Sequence, residues 1–149
     1  MTENKYQNSS TEFGLHLLLV EDNPINAKIA TRLLAKYHWK VDLATDGKQA
    51  LDFVMSNYYK YTVVLMDIHL PIMDGLTCTT LIRQFEKDQM LPTKPVIALT
   101  SDSMSSHKNQ CLKAGCTEYM NKPIDYPLLV ALLERYNKRN LFAFAECDK

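Results

Sequence analysis

The run Val63-Val64-Leu65-Met66 is apolar at every position, ends on the carboxylate of Asp67, and breaks into a turn at Pro71, Asp74 and Gly75. A half-buried strand alternates polar and apolar residues. An unbroken apolar run of strand length is buried on both faces, which places it inside a parallel sheet with helices on either side. A carboxylate at the end of such a strand faces the crevice where open α/β sheets hold their ligands. The alternative is that Asp67 merely caps the next helix or opens the turn. Asp67 is the candidate reacting group, and the other strand ends must decide between the two readings.

In chain order, Leu15 to Val20 is a second nearly continuous apolar run, closed by Glu21 and Asp22. Asn23 and Pro24 start a helix to about Tyr37, because Asn caps and Pro at the first helical position gives up an amide that has no partner there. Ile25, Ile29, Leu33 and Tyr37 recur every four residues along it, and Ala30 and Leu34 widen the stripe. Trp39 to Ala44 alternates around Val41 and Leu43, Asp46-Gly47 turns the chain, and Lys48 to Met55 is a helix through Ala50, Leu51, Val54 and Met55. After the strand at Tyr61 to Met66, a helix over about Asp74 to Glu86 carries Leu76, Thr80, Ile82 and Phe85 near one face. Pro95 to Leu99 is a fourth strand, followed by Thr100, Ser101 and Asp102. The helix from Met104 to Ala114 sets only Met104, Cys111 and Leu112 against His107, Lys108, Asn109 and Gln110, so it is expected either to be mobile or to face a partner. Gly115 ends it. Thr117 to Met120 is a short fifth strand running into Asn121-Lys122-Pro123, and the last helix, Tyr126 to about Asn137, presents Leu128, Leu129, Leu132, Leu133 and Tyr136 inward. Five strand-helix repeats favour an α/β, doubly wound five-stranded parallel sheet with right-handed crossovers.

With 149 residues, 46% of them hydrophobic, the chain suits one well-buried domain, expected over residues 15–137. Residues 1–14, rich in Asn, Ser, Thr and Glu, are expected to form a flexible arm. Residues 138–149 are expected to form a tail that extends the last helix, docks on the domain or begins something further. Seventeen basic and seventeen acidic side chains balance, so no global positive field gathers nucleic acid or anionic lipid. Cys78, Cys111, Cys116 and Cys147 form no CxxC pair and match no histidine spacing, which argues against zinc and for free thiols in a reducing compartment. No apolar run approaches the roughly 20 residues of a bilayer span, and the polar N-terminus is no secretory signal. The expected location is cytoplasmic, or nuclear in a eukaryote.

In a doubly wound sheet all strand carboxyl ends share one edge, which brings together Glu21, Asp22, Asp67, Thr100 and Lys122. Three crowded acids repel and ask for a cation; a hard, oxygen-liganded ion such as Mg2+ (or Mn2+) suits them. Lys122 adds a fixed positive charge and Thr100 a hydroxyl. Acid, metal, lysine and hydroxyl together describe phosphoryl transfer to a carboxylate.

These positions resemble the receiver domain of two-component response regulators, over about Leu15 to Asn137. The resemblance rests on Leu19-Val20-Glu21-Asp22-Asn23, on Asp67 with Pro71, Asp74 and Gly75, on Ala98-Leu99-Thr100, and on Tyr119 with Lys122-Pro123. Intervals of 45, 33 and 22 residues separate Asp22, Asp67, Thr100 and Lys122 in succession. It implies a flavodoxin-like (βα)5 fold of strand order 2-1-3-4-5. It further implies that Asp67 accepts a phosphoryl group from a phosphohistidine, and that Glu21, Asp22, Asp67 and the backbone carbonyl of His69 hold Mg2+. Lys122 would bind a phosphoryl oxygen, Thr100 would turn toward the phosphate, and Tyr119 would rotate inward behind it. The Lys122-Pro123 bond would be cis. Such a domain is not a conventional enzyme: it catalyses its own phosphorylation and dephosphorylation, relays a stress or environmental signal through a change of conformation, and is expected to dimerise weakly or on phosphorylation. The alternative is a degenerate receiver that binds proteins without phosphorylation. A haloacid-type phosphatase wants a second Asp where this chain has His69, and a flavodoxin wants a phosphate loop where it has Glu21 and Asp22.

Two further expectations concern residues in which receivers differ. His69 and Asp102 flank the direction from which water attacks an acyl phosphate, so they are expected to tune its lifetime. Glu21 to Asn26 resembles receivers of hybrid histidine kinases and eukaryotic phosphorelays, which makes Pro24, Ile25 and Pro123 the expected surface for a histidine kinase or histidine phosphotransfer partner.

Overall fold

The computed structural model describes residues 14–101 and 105–147, with the helix backbone alone over 105–106 and 138–147. Five strands, β1 (His16–Val20), β2 (Lys40–Ala44), β3 (Val63–Asp67), β4 (Val96–Thr100) and β5 (Glu118–Asn121), alternate with helices α1 (Pro24–Ala35), α2 (Gly47–Ser56), α3 (Gly75–Asp88), α4 (Ser105–Ala114) and α5 (Tyr126–Cys147). A 3-10 turn, Tyr58–Lys60, precedes β3. All strand pairs are parallel and the order is β2-β1-β3-β4-β5, a flavodoxin-like sheet. The chain leaves β1 for one side and returns to the other at β3, so the crevice of this sheet opens between those two strands.

Alternate side chains of the buried strands feed two cores. Leu18, Val20, Val64, Met66, Val96 and Ala98 face α2, α3 and α4, meeting Ala50, Val54, Cys78, Ile82 and Cys111. Leu17, Leu19, Val63, Leu65, Ile97 and Leu99 face α1 and α5, meeting Ala27, Ala30, Leu34, Leu129 and Leu133. Asn23 caps α1, accepting from the amides of Ile25 and Asn26, and Asp46 and Asp74 cap α2 and α3 in the same way.

The expected inward faces shift in four helices. On α1 the buried residues are Ala27, Ala30 and Leu34, whereas Ile25 and Ile29 are 69% and 47% exposed and Tyr37 lies beyond the helix end. A strict four-residue repeat turns about 40° further round the helix at each step, so it walks off the buried face. The helix stops at Ala35 because the chain reverses at His38, whose φ is 63°. Met55 on α2, Thr80 on α3 and Leu128 on α5 point outward, and α3 instead buries Thr79 and Glu86. Leu43 on the edge strand β2 is also exposed. Among the described side chains Cys78, Cys111 and Cys116 are free thiols; that of Cys147 lies outside them. The helix α5 continues through the segment read as a tail, and residues 1–13 of the expected arm lie outside the described residues. No helix among the described residues is long and apolar enough to cross a membrane.

Glu86 organises the amino edge of the sheet. Its carboxylate accepts from the Lys94 amide at 2.7 Å and from Arg83 Nη1 at 2.8 Å, and the Tyr58 hydroxyl is held between it and the Pro92 carbonyl. Lys94 donates its ammonium to the Tyr61 carbonyl and lies 4.1 Å from the centre of the Tyr58 ring. Arg83 also donates to the Gly115 carbonyl at 2.9 Å, which ties α3 to the turn before β5.

Candidate functional site

At the opposite edge, β1 delivers Glu21 and Asp22 and β3 delivers Asp67. The Glu21 amide donates to the Ala44 carbonyl at 2.9 Å, which fixes the chain as it leaves the sheet, and Glu21 and Asp67 are buried while Asp22 is exposed. One oxygen from each of the three carboxylates lies within 4.8 Å of the others. Lys122, just beyond β5, places its ammonium 3.2 Å from Glu21 Oε1 and 3.2 Å from Asp67 Oδ2. Its backbone amide donates to the Thr100 carbonyl at 2.7 Å, and the Lys122-Pro123 peptide is cis.

Desolvation works against the charged form of Lys122, but the Asp67 and Glu21 carboxylates outweigh it and raise the pKa above the ordinary lysine value. Three carboxylates facing one ammonium leave net negative charge in a partly buried crevice. Such an all-oxygen donor set fits a hard divalent cation.

Thr100 closes β4 and is buried beside this cluster in sequence register, next to the Leu99 that pairs with Asp67. His69 is exposed, and its amide donates to Asp67 Oδ1 at 3.3 Å. Tyr119 is half-buried, and its hydroxyl donates to Asn121 at 2.6 Å. Pro24, Ile25 and Pro123 are exposed. Asp102 lies outside the described residues.

Sequence reasoning missed the contacts that set the loop after Asp67. The Gly75 amide donates to the Ile68 carbonyl at 2.9 Å, and a Cβ on Gly75 would stand 2.2 Å from the Asp67 carbonyl oxygen. The Gly47 amide donates to the Met73 carbonyl at 3.1 Å, and a Cβ there would stand 2.1 Å from that oxygen. The Asp46-Gly47 dipeptide signalled a turn, but no local pattern shows that its partner is Met73. Also missed was a cleft of about 500 Å3 beside Lys122, lined by Leu19, Ile29, Ala30, Ile124 and Tyr126 among others. Burial, then the charge of Glu21, push the Tyr126 phenol up.

Residues 17–134 match the family model described as response regulator receiver domain. The chain is 48% identical over 124 residues to hybrid signal transduction histidine kinase M of Dictyostelium discoideum, covering 82% of this chain and 5% of that protein. It is 37% identical over 128 residues to histidine protein kinase 1 of Candida albicans, covering 81% of this chain and 5% of that one. The chain therefore spans a small fraction of the length of these relatives. Among solved structures, the receiver domain of Saccharomyces cerevisiae Ssk1, crystallised with the histidine phosphotransfer protein Ypd1, superposes with a TM-score of 0.79 at 26% identity, covering 85% of this chain and 91% of that one. The receiver domain of a Pseudomonas aeruginosa sensor histidine kinase, with magnesium coordinated in its active site cleft, gives 0.73 at 34% identity, covering 84% and 98%.

Proposed function

Because the chain belongs to the response regulator receiver domain family, the domain of two-component and phosphorelay signalling, we propose that Asp67 accepts a phosphoryl group from a phosphohistidine. The observation that carries this reading is the triad of carboxylates whose oxygens lie within 4.8 Å, with Lys122 bridging two of them at 3.2 Å. Glu21, Asp22, Asp67 and the backbone carbonyl of His69 would hold Mg2+. When bound, that ion supplies the positive charge that lets an anionic carboxylate and an anionic phosphoryl group approach.

The chain's own groups do the rest. An oxygen of Asp67 attacks phosphorus in line; the P–O bond forms as the P–N bond to the donor imidazole breaks. Lys122, already charged and held between Glu21 and Asp67, exchanges its contact with Asp67 for a phosphoryl oxygen and neutralises part of the charge that accumulates there. The Thr100 hydroxyl turns to donate to another, and Tyr119 leaves its contact with Asn121 to fill the space behind Thr100. The product is a shift of population between two conformations.

The donor is a histidine kinase or histidine phosphotransfer protein, and Pro24, Ile25 and Pro123 form the surface it meets. Ile25→Glu should slow transfer from such a protein while leaving a small donor unaffected. His69 sets the lifetime of the acyl phosphate, so His69→Ala should change the dephosphorylation rate.

The test is incubation with acetyl phosphate and Mg2+ followed by intact mass. A gain of about 80 Da in the parent and none in Asp67→Asn is the expected result. No gain in either protein overturns the reading in favour of a phosphorylation-independent binding module.

A further inference from the structure

The helix α4 ends in a Schellman motif. The Gly115 amide donates to the Leu112 carbonyl at 3.1 Å, the Cys116 amide donates to the Cys111 carbonyl at 3.0 Å, and Gly115 takes a φ of 108°. This motif brings the side chain just past the turn against the one five residues earlier, usually as an apolar contact. Here both positions are cysteines. Cys111 and Cys116 are 1% and 5% exposed, and the motif sets their side chains against each other beneath the turn. Cys116 Sγ also lies 3.9 Å from Thr79 Oγ1 on α3.

We propose that Cys111 and Cys116 form a dithiol site that a hydroperoxide closes to an intramolecular disulfide. One sulfur, as thiolate, attacks a peroxide oxygen; the O–O bond breaks, an alcohol or water leaves, and a sulfenic acid remains. The second thiol attacks that sulfur, the S–S bond forms, and water departs with the hydroxyl. Each sulfur loses one electron, and the two are taken up by the peroxide. A thiol-disulfide exchange with a small dithiol reverses the step.

Both thiols are shielded in the closed fold, and burial pushes Cys116 up to about 11, so the reaction runs through opening of the end of α4. That opening is within reach, because Cys111 is the one fully buried side chain among those described on this helix, and Leu112 is exposed. An element held by so few apolar contacts opens at low cost. Once either sulfur is oxidised, reclosing of the turn sets its neighbour against it, so pairing outruns further oxidation. Cys78, on α3 and pushed up to about 12 by burial, serves as the internal comparison. The pair sits at the amino end of β5, away from the edge that carries Asp67, so closing it leaves the carboxylates in place.

The experiment treats the reduced 149-residue chain with hydrogen peroxide, alkylates it and digests it with trypsin. Lys113 lies between the two cysteines, so cleavage separates the peptide Asn109 to Lys113 from the one that begins at Ala114 unless a disulfide joins them. The expected result is the joined pair, lost on dithiothreitol and formed about ten-fold faster than Cys78 is modified. Recovery of Cys111 and Cys116 as alkylated thiols, their single oxidation to sulfinic acid, or a link to Cys78 or Cys147 overturns the proposal. Cys116→Ala should abolish the joined pair, and the mapping of the unsubstituted chain stands whether or not that variant folds.

Discussion

Replacing Glu86 by Ala tests the network at the amino edge of the sheet. The carboxylate is 4% exposed and accepts from the Lys94 amide, Arg83 and Tyr58. Arg83 keeps its bond to Gly115 and Tyr58 keeps Pro92, so those two donors are only partly orphaned. The Lys94 amide loses its Glu86 acceptor, at a cost of about 1–3 kcal/mol. The buried Lys94 ammonium loses its counter-charge, and the removed side chain leaves a void. Against these stands the recovered desolvation cost of the carboxylate itself. Breaking one partner out of a buried ion pair costs about 3–5 kcal/mol, and the remaining contacts of Arg83 and Tyr58 place Glu86→Ala near the lower end. Glu86→Gln keeps an acceptor for the amide and should lose about half as much. Urea unfolding followed through Trp39, the single tryptophan and a buried one stacked on Tyr37, reads both values. Phosphorylation of folded protein by acetyl phosphate should be unchanged, since the network lies at the other end of the strands. A loss below about 1 kcal/mol for Glu86→Ala would refute the reasoning.

Three further outcomes follow from local geometry. Gly47→Ala drives a methyl group into the Met73 carbonyl and breaks the hydrogen bond that the residue 47 amide donates to it; we expect a loss of about 2–3 kcal/mol in urea unfolding and slower phosphorylation, and an unchanged midpoint would contradict the contact. Ile72, β-branched, 81% exposed and at φ 68°, is strained in the left-handed region, so Ile72→Asn should stabilise the chain by about 1 kcal/mol, and a lower midpoint counts against strain. Lys94 is pushed by burial from an ordinary 10.5 down to about 8. Between those values the unfolded chain holds a proton that the folded chain has released, so the Lys94 contribution to stability rises with pH and is lost as pH falls through about 8. Stability of the parent relative to Lys94→Met should therefore climb from pH 7 to pH 10, by up to about 3 kcal/mol, and a flat difference would show that Lys94 stays charged.

The strands and the candidate site were legible because both are written locally. Three apolar runs, closed by Glu21, Asp67 and Thr100, and two shorter stretches, ending before Thr45 and at Asn121, mark where strands end, and any parallel sheet carries those ends to one edge; Glu21, Asp22, Asp67 and Lys122 meet there in the structure. Strand alternation with helices does not by itself choose the order β2-β1-β3-β4-β5, which came from resemblance and is set physically by which side of β1 each crossover takes. The buried faces of helices were less legible. Ile25 and Leu128 fit a helical period yet face outward, because the angle at which a helix crosses the sheet selects the buried stripe. Glu86 and Gly47 carried no signal of their roles: the partners of Glu86 lie on Tyr58 and Lys94, that of Gly47 on Met73, and only the packed chain brings them within hydrogen-bond distance. Sequence by itself determined the strand ends and the chemical types gathered there, since backbone periodicity and residue chemistry are local. Tertiary structure decided which faces are buried and which distant groups must pair, since desolvation acts on a side chain only once its neighbours have displaced the water.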